Sequence, residues 1–335
     1  MNEMVSHTLI IAEVGSVHDG SYGNAMKLIE TGATCGVDAV KFQTHIPEVE
    51  TLPDAPMPSY FKGEPRFDYF KRTGFSVDQW AGLKTCCDQN GVMFLSSPFS
   101  EAAVDLLERI DVAQYKIPSG EVTNLPMLEI IAKTGKPVLL SSGMSSWDEL
   151  DQAVEVVLRH NQDLTILQCT SEYPCSYENV GMNVMLEMAG RYGKNVGLSD
   201  HTLSNYASFM AVSLGAKVIE KHFTFSRKMY GSDAAHSLEP DELTDLVQGI
   251  RAIESMLAAH VDKDQVGQFQ EMKEIFEKSL VAEVDITQGT ALTRELVGIK
   301  KPGTGISAAR LNAFLGKVLK ENVKAGQILK EADFE

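Results

Sequence analysis

The chain has 335 residues, of which 44% are hydrophobic and 23% charged, with a formal net charge of −16 and a pI of 5.0. This composition is typical of a globular protein, and the negative charge disfavours nucleic acids and anionic membranes as partners. Five cysteines without metal-binding spacing favour reduced thiols in a cytoplasmic protein, and no apolar run is long enough to cross a membrane.

The first part of the chain alternates short β-branched runs with helix-like stretches. The helix predicted over 145–160 has serines at its start, early acidic residues and apolar residues at helical spacing. Eight such alternations in about 250 residues predict a (β/α)8 TIM barrel rather than an open doubly wound sheet. The predicted strands are LIIAEVG (9–15), AVKFQT (39–44), VMFLSSPF (92–99), AQYKIPSG (113–120), PVLLSSG (137–143), LTILQCT (164–170), VGLSD (196–200) and VIEKHFT (218–224).

The C-terminal part of the chain has a different pattern. A polar helical stretch over 262–279 reads as a linker after a catalytic domain at 1–261. Beyond it, DITQGTALTRELV (285–297) and NVKAGQILKEADF (322–334) resemble each other weakly and suggest two β-turn-β pieces. We therefore expect a small β-rich domain over 280–335, which is small enough to need docking against the barrel.

Polar residues follow almost every predicted strand of the barrel. In this fold, catalytic side chains lie at the carboxyl ends of the strands and in the loops after them. The residues at these positions are Glu13, Lys41, Gln43, Ser96, Ser97, Lys116, Ser119, Glu121, Ser141, Ser142, Thr170, Tyr173, Ser199, Asp200, His201, Glu220, Lys221 and His222.

Two histidines, His201 and His222, end successive predicted strands. Neighbouring strands lie about 4.8 Å apart, so the two imidazoles are expected to reach one metal ion. No cysteine or third histidine completes a closed zinc site, which favours an open Mn²⁺, Mg²⁺ or Co²⁺ site that acts as a Lewis acid. Asp200 and Glu220 are candidates for further ligands or for residues that orient the imidazoles. The alternative is a purely structural histidine pair.

Three lysines, Lys41, Lys116 and Lys221, are expected to face the mouth of the barrel. With the clustered serines they would bind phosphate and carboxylate groups. An alternative is an aldolase that forms a Schiff base on Lys116. Glu13 and Glu121 are candidates for acid or base chemistry or for binding sugar hydroxyls, and each alternatively forms a salt bridge with a lysine. Three other histidines are only loop candidates: His18, His45 and His236.

These motifs together resemble the sialic acid (N-acetylneuraminate) synthase family along nearly the whole chain. The tail segments SLVAEVDITQGTAL, KKPGTGIS and LGKVLKENVKAGQIL resemble the antifreeze-like (SAF) module of that family. The barrel motifs, in order, are IAEVGSVHDGS, VKFQTH, FLSSPFS, YKIPSGEVTNLP, KPVLLSSGMSS, CTSEYPCSYENV, GLSDHT, IEKHFT and SLEPDEL.

The resemblance implies that phosphoenolpyruvate condenses with the aldehyde of an N-acylated amino sugar, typically N-acetylmannosamine. The products would be a nine-carbon 3-deoxy-2-keto acid and phosphate. The enzyme would be a domain-swapped homodimer that uses a divalent metal, with Mn²⁺ as the first candidate. The residues it implies for phosphoenolpyruvate are Lys41, Ser97, Lys116, Ser119, Ser141 and Ser199; for the sugar Gln43, Glu121, Tyr173, Asp233 and Lys301; for the metal His201 and His222. Glu13 would lie close to the reacting carbons, and Glu13 or Glu121 would handle the attacking water.

Four positions depart from the family pattern. Ser97 stands where the family usually has threonine, and Gln168 stands where histidine is common. The loop 229–237 takes the place of the more usual proline-glycine-proline-aspartate loop, and Lys301 stands where many members have arginine. Since the last three are expected near the sugar, acceptors of legionaminic, pseudaminic or deaminated type remain alternatives to N-acetylmannosamine. From other classes, the alternatives are a carbohydrate- or ice-binding protein and an inactive scaffold. The polar strand ends disfavour the former, and the histidines and lysines disfavour the latter.

Overall fold

The computed structural model describes residues 7–56 and 63–335, and the chain divides into two compact units, Met1–Ala259 and His260–Glu335. The first unit contains a closed barrel of eight parallel strands in sequence order, in which β1 also pairs with β8. The predicted (β/α)8 TIM barrel is therefore confirmed. Its strands are β1 (Leu9–Gly15), β2 (Ala39–Thr44), β3 (Met93–Pro98), β4 (Tyr115–Ile117), β5 (Val138–Ser141), β6 (Leu164–Cys169), β7 (Asn195–Asp200) and β8 (Val218–His222).

Helices surround the barrel, and several begin where the sequence predicts a cap. Ser146 and Glu149 form a capping box at the start of α7, in which each side chain accepts a hydrogen bond from the other's backbone N–H. No helix in the described part of the chain is long and apolar enough to span a bilayer. The helices are α1 (Tyr22–Cys35), α2 (Pro47–Glu50), α3 (Arg66–Thr73), α4 (Val77–Gln89), α5 (Glu101–Arg109), α6 (Leu125–Lys133), α7 (Trp147–Leu158), α8 (Met182–Tyr192), α9 (Tyr206–Ser213) and α10 (Pro240–Ala258).

Alternation along the strands separates the barrel interior from its helix-facing side. A separate small cluster of buried apolar side chains comes from alternate strand positions and marks the interior: Ile11, Ala39, Leu95, Leu139, Leu167 and Val218. Two residues further along the same six strands, the inward positions are polar or sulfur-containing: Glu13, Lys41, Ser97, Ser141, Cys169 and Glu220. The apolar layer thus forms the floor of a polar mouth.

Strand β4 is shorter than the sequence predicts. It ends at Ile117, and after Pro118 the residues Ser119–Glu121 form a short 3₁₀ turn instead of continuing the strand to residue 120. Proline lacks the backbone N–H needed to extend the parallel ladder. The turn brings Ser119 to the rim of the mouth rather than onto the strand.

The second unit has its own core. It contains α11 (Gln270–Phe276), α12 (Leu311–Phe314) and an antiparallel pair, β9 (Ser279–Ala282) with β10 (Val297–Lys300). An isolated bridge joins Ile286 to Val323, which occupy equivalent positions in the two similar sequence segments. Its buried core consists of Leu280, Ala282, Ile286, Leu292, Val297, Ile306, Phe314, Leu319, Val323, Leu329 and Phe334.

Candidate active site

A cavity of about 410 Å³ opens at the carboxyl ends of the strands. Its walls come from loops and strand ends that are far apart in sequence, as expected for the catalytic face of a barrel. The predicted site residues that line it are Glu13, Lys41, Gln43, Lys116, Ser119, Ser141, Tyr173, Ser199, His201 and His222.

Two buried lysines in the cavity are neutralised by carboxylates. The Nζ of Lys41 lies 2.8 Å from Oε2 of Glu13 and 3.8 Å from Oε2 of Glu220, and Nζ of Lys116 lies 3.1 Å from Oε1 of Glu220. Burial by itself lowers the pKa of Lys41, but Glu13 and Glu220 outweigh it, so the pKa is raised. Burial likewise raises the pKa of Glu220, but Lys116 and Lys41 outweigh it and lower the pKa. The cavity therefore holds charged pairs that an anionic ligand could reorganise.

The pairing of Lys116 also bears on the Schiff-base alternative. A Schiff-base lysine must present a neutral amine to a carbonyl group. Lys116 is instead engaged by Glu220, which also accepts a hydrogen bond from the hydroxyl of Ser199 at 3.0 Å. This arrangement fits a cation that binds an anion better than a nucleophilic amine.

Hydroxyl groups surround the two lysines. Lys41 donates a hydrogen bond to Oγ of Ser97 at 3.2 Å, although Ser97 itself is behind the cavity wall. Oγ of Ser119 accepts a hydrogen bond from the backbone N–H of Gly143 at 3.1 Å. Oγ of Ser141 is buried without a hydrogen-bond partner in the described residues, so it is available to a ligand.

The two histidines are close and one of them is oriented by the backbone. Nδ1 of His201 donates a hydrogen bond to the carbonyl of Thr170 at 2.8 Å, which leaves Nε2 as the lone-pair nitrogen. Burial, and next the neighbouring His222, lower the pKa of His201 to about 3, so its imidazole is neutral. The ring centroids of His201 and His222 are 5.4 Å apart, and Tyr173 stacks on His201 at 4.2 Å.

These features fit a divalent cation held by two imidazoles. Nδ1 of His222 is buried and has no hydrogen-bond partner among the described residues. A neutral imidazole with an unsatisfied nitrogen is a good ligand for a transition metal. In the described part of the chain, no group of three or more His, Cys, Asp or Glu residues is arranged to hold a metal. Beyond the two imidazoles, the remaining ligands of the cation would therefore be water or substrate oxygens or other side-chain types.

Two expectations about the mouth are wrong. Lys221 and Asp200 pair with each other at 2.9 Å, and Asp200 also accepts a hydrogen bond from Ser208 of α9. Both side chains therefore face the surrounding helices, because strand alternation turns them away from the inward Glu220 and Ser199. Glu220 bonds to lysine and serine rather than to an imidazole, and the carbonyl of Thr170 orients His201 instead.

The residues expected at the sugar lie in different settings. Nε2 of Gln43 donates a hydrogen bond to Oε1 of Glu13 at 2.8 Å, within the cavity wall. Asp233 does not line the cavity but lies close behind it: its Oδ2 is 2.6 Å, and Nε2 of Gln43 3.4 Å, from where a Cβ on Gly15 would lie, at a φ of +53°. A side chain at Gly15 would displace Asp233, so this close approach requires glycine.

Glu121 and Lys301 are not brought into this cavity wall. Glu121 accepts a hydrogen bond from Asn124 at 2.9 Å, and burial raises the pKa of its carboxyl group. Lys301 belongs to the second unit, where its Nζ lies 5.0 Å from the ring centroid of Phe276. Their predicted contacts with the sugar stay predictions.

Sequence reasoning missed several residues of the cavity wall. Phe99 follows β3 inside the FLSSPFS motif, and its position directly after a strand end could have identified it. Arg66 begins α3 in the long connection between β2 and β3, where no strand end marks it. The other missed wall residues are Pro118, Gly120, Met144, Cys169 and Ser171.

Comparison with known proteins adds a second kind of information. Residues 28–262 match the model of the NeuB family, and residues 277–335 match that of the SAF domain. The chain is 37% identical over 332 residues to N,N'-diacetyllegionaminic acid synthase of Campylobacter jejuni, covering 97% of this chain and 99% of the relative. It is 35% identical over 296 residues to N-acetylneuraminate-9-phosphate synthase of Homo sapiens, covering 87% and 82%.

A solved structure shows the same relationship in three dimensions. The N-acetylneuraminic acid (sialic acid) synthetase of Leptospira borgpetersenii, in complex with citrate, superimposes with a TM-score of 0.70 at 29% identity. The match covers 80% of this chain and 90% of that one. The names of these relatives differ in the sugar acid that each one makes.

Proposed function

The chain belongs to the NeuB family and is a sugar-acid synthase with a C-terminal SAF domain, and on this basis we propose that it condenses phosphoenolpyruvate with an N-acylated amino sugar. The products are a nonulosonic acid and inorganic phosphate. The observation that supports this most is the pair of buried lysines, Lys41 and Lys116, in one cavity of a chain with net charge −16. Buried cations need a counter-charge, which Glu13 and Glu220 supply here, and an anionic ligand could take the place of these carboxylates.

Phosphoenolpyruvate binds at this lysine pair in the proposed enzyme. Its phosphate and carboxylate would take over the ammonium groups that Glu13 and Glu220 now hold. The unpaired hydroxyl of Ser141 and the hydroxyls of Ser119 and Ser199 supply hydrogen-bond donors to the same ligand. Ser97 acts from behind the wall, because it contacts Lys41 rather than the cavity.

His201 and His222 hold a divalent cation in this proposal, Mn²⁺ first, with Mg²⁺ or Co²⁺ as alternatives. When bound, such an ion supplies a Lewis acid for the aldehyde oxygen of the acceptor. The chain's own contribution is to keep both imidazoles available as ligands: the carbonyl of Thr170 holds His201 in one tautomer, and Tyr173 packs on its face.

Carbon–carbon bond formation and phosphate release follow in order. C3 of phosphoenolpyruvate attacks the aldehyde carbon, water then adds at C2, and the tetrahedral intermediate loses phosphate to leave the 2-keto acid. Glu13 is favoured over Glu121 to position that water, because Glu13 lines the cavity and Glu121 does not. Oε1 of Glu13 accepts a hydrogen bond from Gln43 and Oε2 forms an ion pair with Lys41, which suits a positioning role.

The acceptor we propose first is N-acetylmannosamine, bound near Gln43, Tyr173 and Asp233. A 2,4-diacetamido acceptor is the second candidate, because the relative that is 37% identical is named for diacetyllegionaminic acid. The loop that carries Asp233 departs from the usual family pattern. Asp233 and Gln43 both approach Gly15, so this loop lies near Gln43. Differences between acceptors are therefore expected at this wall.

A homodimer would complete the site through Lys301 of each small domain. Lys301 is exposed, and in the described part of the chain no carboxylate forms a salt bridge with it. The segment 266–276 beside its aromatic partner exposes Val266, Phe269, Met272, Ile275 and Phe276. Exposed apolar side chains in such number support a contact with a second copy of the chain.

The proposal is tested by phosphate release from phosphoenolpyruvate and Mn²⁺ with N-acetylmannosamine and its 6-deoxy-2,4-diacetamido relatives, with and without a chelator. We expect chelator-sensitive release with one of these sugars. His201→Ala and His222→Ala should bind less Mn²⁺ by atomic absorption and lose activity, whereas the exposed His260→Ala should do neither. Full turnover by His201→Ala with its metal retained would contradict the metal assignment, and silence with every sugar would contradict the reaction.

A further inference from the structure

His45 lies directly behind the cavity wall in a sandwich of aromatic rings. Its imidazole stacks on Phe70 of α3 at 3.7 Å and on Phe99 at 4.0 Å, with interplanar angles of 22° and 21°. The side chain is almost completely buried. Because both faces of the ring are covered, only the two nitrogens at its edge are available for hydrogen bonds.

Each nitrogen of His45 has a partner. Nδ1 lies 2.6 Å from Oε1 of Glu50, and Nε2 lies 3.2 Å from Oε1 of Gln43. The second oxygen of Glu50 accepts a hydrogen bond from the backbone N–H of Ile46 at 3.0 Å. Gln43 in turn contacts Glu13, so four side chains form a continuous chain of hydrogen bonds from Glu50 into the cavity.

The direction of these hydrogen bonds is determined by Glu13. An ionised carboxylate only accepts hydrogen bonds, so the amide group of Gln43 must present its NH₂ to Glu13 and its oxygen to His45. That oxygen needs a donor, which requires a hydrogen on Nε2 of His45. Glu50 and Nδ1 then need one shared proton between them, because two lone pairs at 2.6 Å would repel.

We propose that Glu50 and His45 are positioning residues that set the orientation of Gln43 and thereby of Glu13. This inference rests on the proposed function, in which Glu13 lies beside the reacting carbons. Neither Glu50 nor His45 lines the cavity: their hydrogen bonds reach it through Gln43, and His45 also packs on the wall residue Phe99. With its oxygen engaged by His45 and one N–H by Glu13, Gln43 has a second N–H, which can donate a hydrogen bond to an oxygen of the substrate.

A competing orientation shows what the relay prevents. If Gln43 were turned over, its oxygen would face the carboxylate of Glu13 and its NH₂ would face Nε2 of His45. Glu13 would then lose one of its two contacts and keep only Lys41. The substrate would meet a different hydrogen-bonding pattern on the same wall, with no change in the packing of the aromatic rings.

The test separates hydrogen bonding from packing. His45→Phe keeps the stack between Phe70 and Phe99 and removes both hydrogen bonds, and we expect kcat to fall about ten- to a hundredfold, because a misplaced reacting group loses its productive geometry. The KM for phosphoenolpyruvate should change much less than kcat, because the lysines and serines that bind it are untouched. Glu50→Ala should lower kcat in the same way.

Glu50→Gln is the decisive conservative variant. Its amide can donate to Nδ1 of His45 and accept from the N–H of Ile46, so kcat should stay close to that of the wild type. Glu48→Gln is the matched control on the same helical turn, where the exposed carboxylate pairs with Lys71. Equal kcat values for Glu50→Gln and Glu50→Ala, or an unchanged kcat in His45→Phe, would overturn the relay.

A second measurement does not depend on turnover. In protein labelled with ¹⁵N-glutamine, the side-chain amide resonance of Gln43 can be assigned by its loss in Gln43→Met. It should shift in His45→Phe and Glu50→Ala and stay in place in Glu50→Gln. An unmoved resonance in all three variants would overturn the relay, whereas a wild type that releases no phosphate would count only against the proposed function.

Discussion

Single ionisable side chains in the barrel are kept in one charge state by burial and by their neighbours. His18, in the loop after β1, is almost fully buried and packs on Phe75 at a centroid distance of 4.7 Å. Burial lowers its pKa to about 4, and a backbone hydrogen bond with Gly15 opposes this shift only partly. Its Nδ1 accepts a hydrogen bond from the N–H of Gly20, which suits the neutral imidazole.

This low pKa predicts a pH-dependent stability. Above pH 6.5, His18 is neutral in both the folded and the unfolded chain and contributes no pH dependence. As the pH falls below 6.5, the unfolded chain binds the proton first, so the free energy of unfolding decreases until the pH reaches about 4. The contribution lost between pH 7.5 and pH 5 is about 2 kcal/mol.

Urea unfolding of the wild type and of His18→Gln at both pH values measures this contribution. The stability difference between the two proteins should shrink by about 2 kcal/mol on going to pH 5, because the variant has no proton to bind there. The core variant Ile250→Val, which loses no titrating group, should show the same difference at both pH values. A constant difference for His18→Gln would contradict a buried neutral imidazole.

At the scale of secondary-structure elements, a cluster of polar contacts, here called the clasp, joins α10 to β1 at the amino-terminal end of the barrel. Arg251 of α10 donates to both carboxylate oxygens of Asp38, at 2.9 and 2.7 Å, and to the carbonyl of Thr8 at 2.9 Å. Asp38, just before β2, also accepts from the N–H of Ile10 in β1 at 2.7 Å. The clasp thus connects α10, β1 and β2 where the barrel closes.

Breaking the clasp should lower stability without affecting catalysis. Arg251→Ala removes an ion pair whose two side chains are about three-quarters buried and leaves Asp38 without the guanidinium, so we expect a loss of about 2 kcal/mol in the free energy of unfolding. Activity at 25 °C should be unchanged, because the clasp lies at the opposite end of the barrel from the cavity.

The matched control is Arg159→Ala at the carboxyl-terminal cap of α7, which removes an exposed pair with Glu155 of that helix. Such exposed pairs contribute little to stability, because water and salt screen the two charges and two long side chains must be ordered. Equal losses for Arg251→Ala and Arg159→Ala in urea unfolding would show that the clasp contributes no more than an ordinary surface pair.

At the scale of the whole molecule, the net charge of −16 opposes the entry of an anionic substrate. The cations of the cavity are few, and Lys41 and Lys116 are already paired with carboxylates. The approaching substrate therefore meets a negatively charged protein, in which the two cavity lysines are already neutralised by carboxylates. Salt screens the long-range repulsion more than it screens contacts inside a buried site.

Added salt should consequently favour phosphoenolpyruvate. On raising the ionic strength from about 0.02 to about 0.2 M with an inert salt, kcat/KM for phosphoenolpyruvate should rise, roughly two- to tenfold. The KM of the neutral sugar acceptor serves as the control and should stay nearly constant. A fall in kcat/KM for phosphoenolpyruvate would mean that local attraction by the lysines dominates over the field of the whole chain.

The barrel and part of its cavity lining could be predicted because their signals are local. Strand runs, helix caps and the residues that follow strands identify Lys41, Lys116, His201 and His222, since parallel strands of a barrel end at one face. The prediction that Lys221 faces the mouth is wrong, because successive residues of β8 point to opposite sides of the strand. Glu220 faces the cavity and Lys221 faces the surrounding helices. Arg66 was missed because nothing in the connection before α3 marks its approach to the mouth.

By itself, the sequence determined the order of strands and helices, the two-part organisation, the family and the polar composition of the strand ends. Only the tertiary structure decided which polar residues face inward, that Glu13 and Glu220 neutralise the two lysines, and that His45 reaches Glu13 through Gln43. The physical reason is that helix and strand signals act over a few residues, whereas these contacts form between separate segments. Closure of the barrel sets their distances, and the alternation of each strand sets their direction.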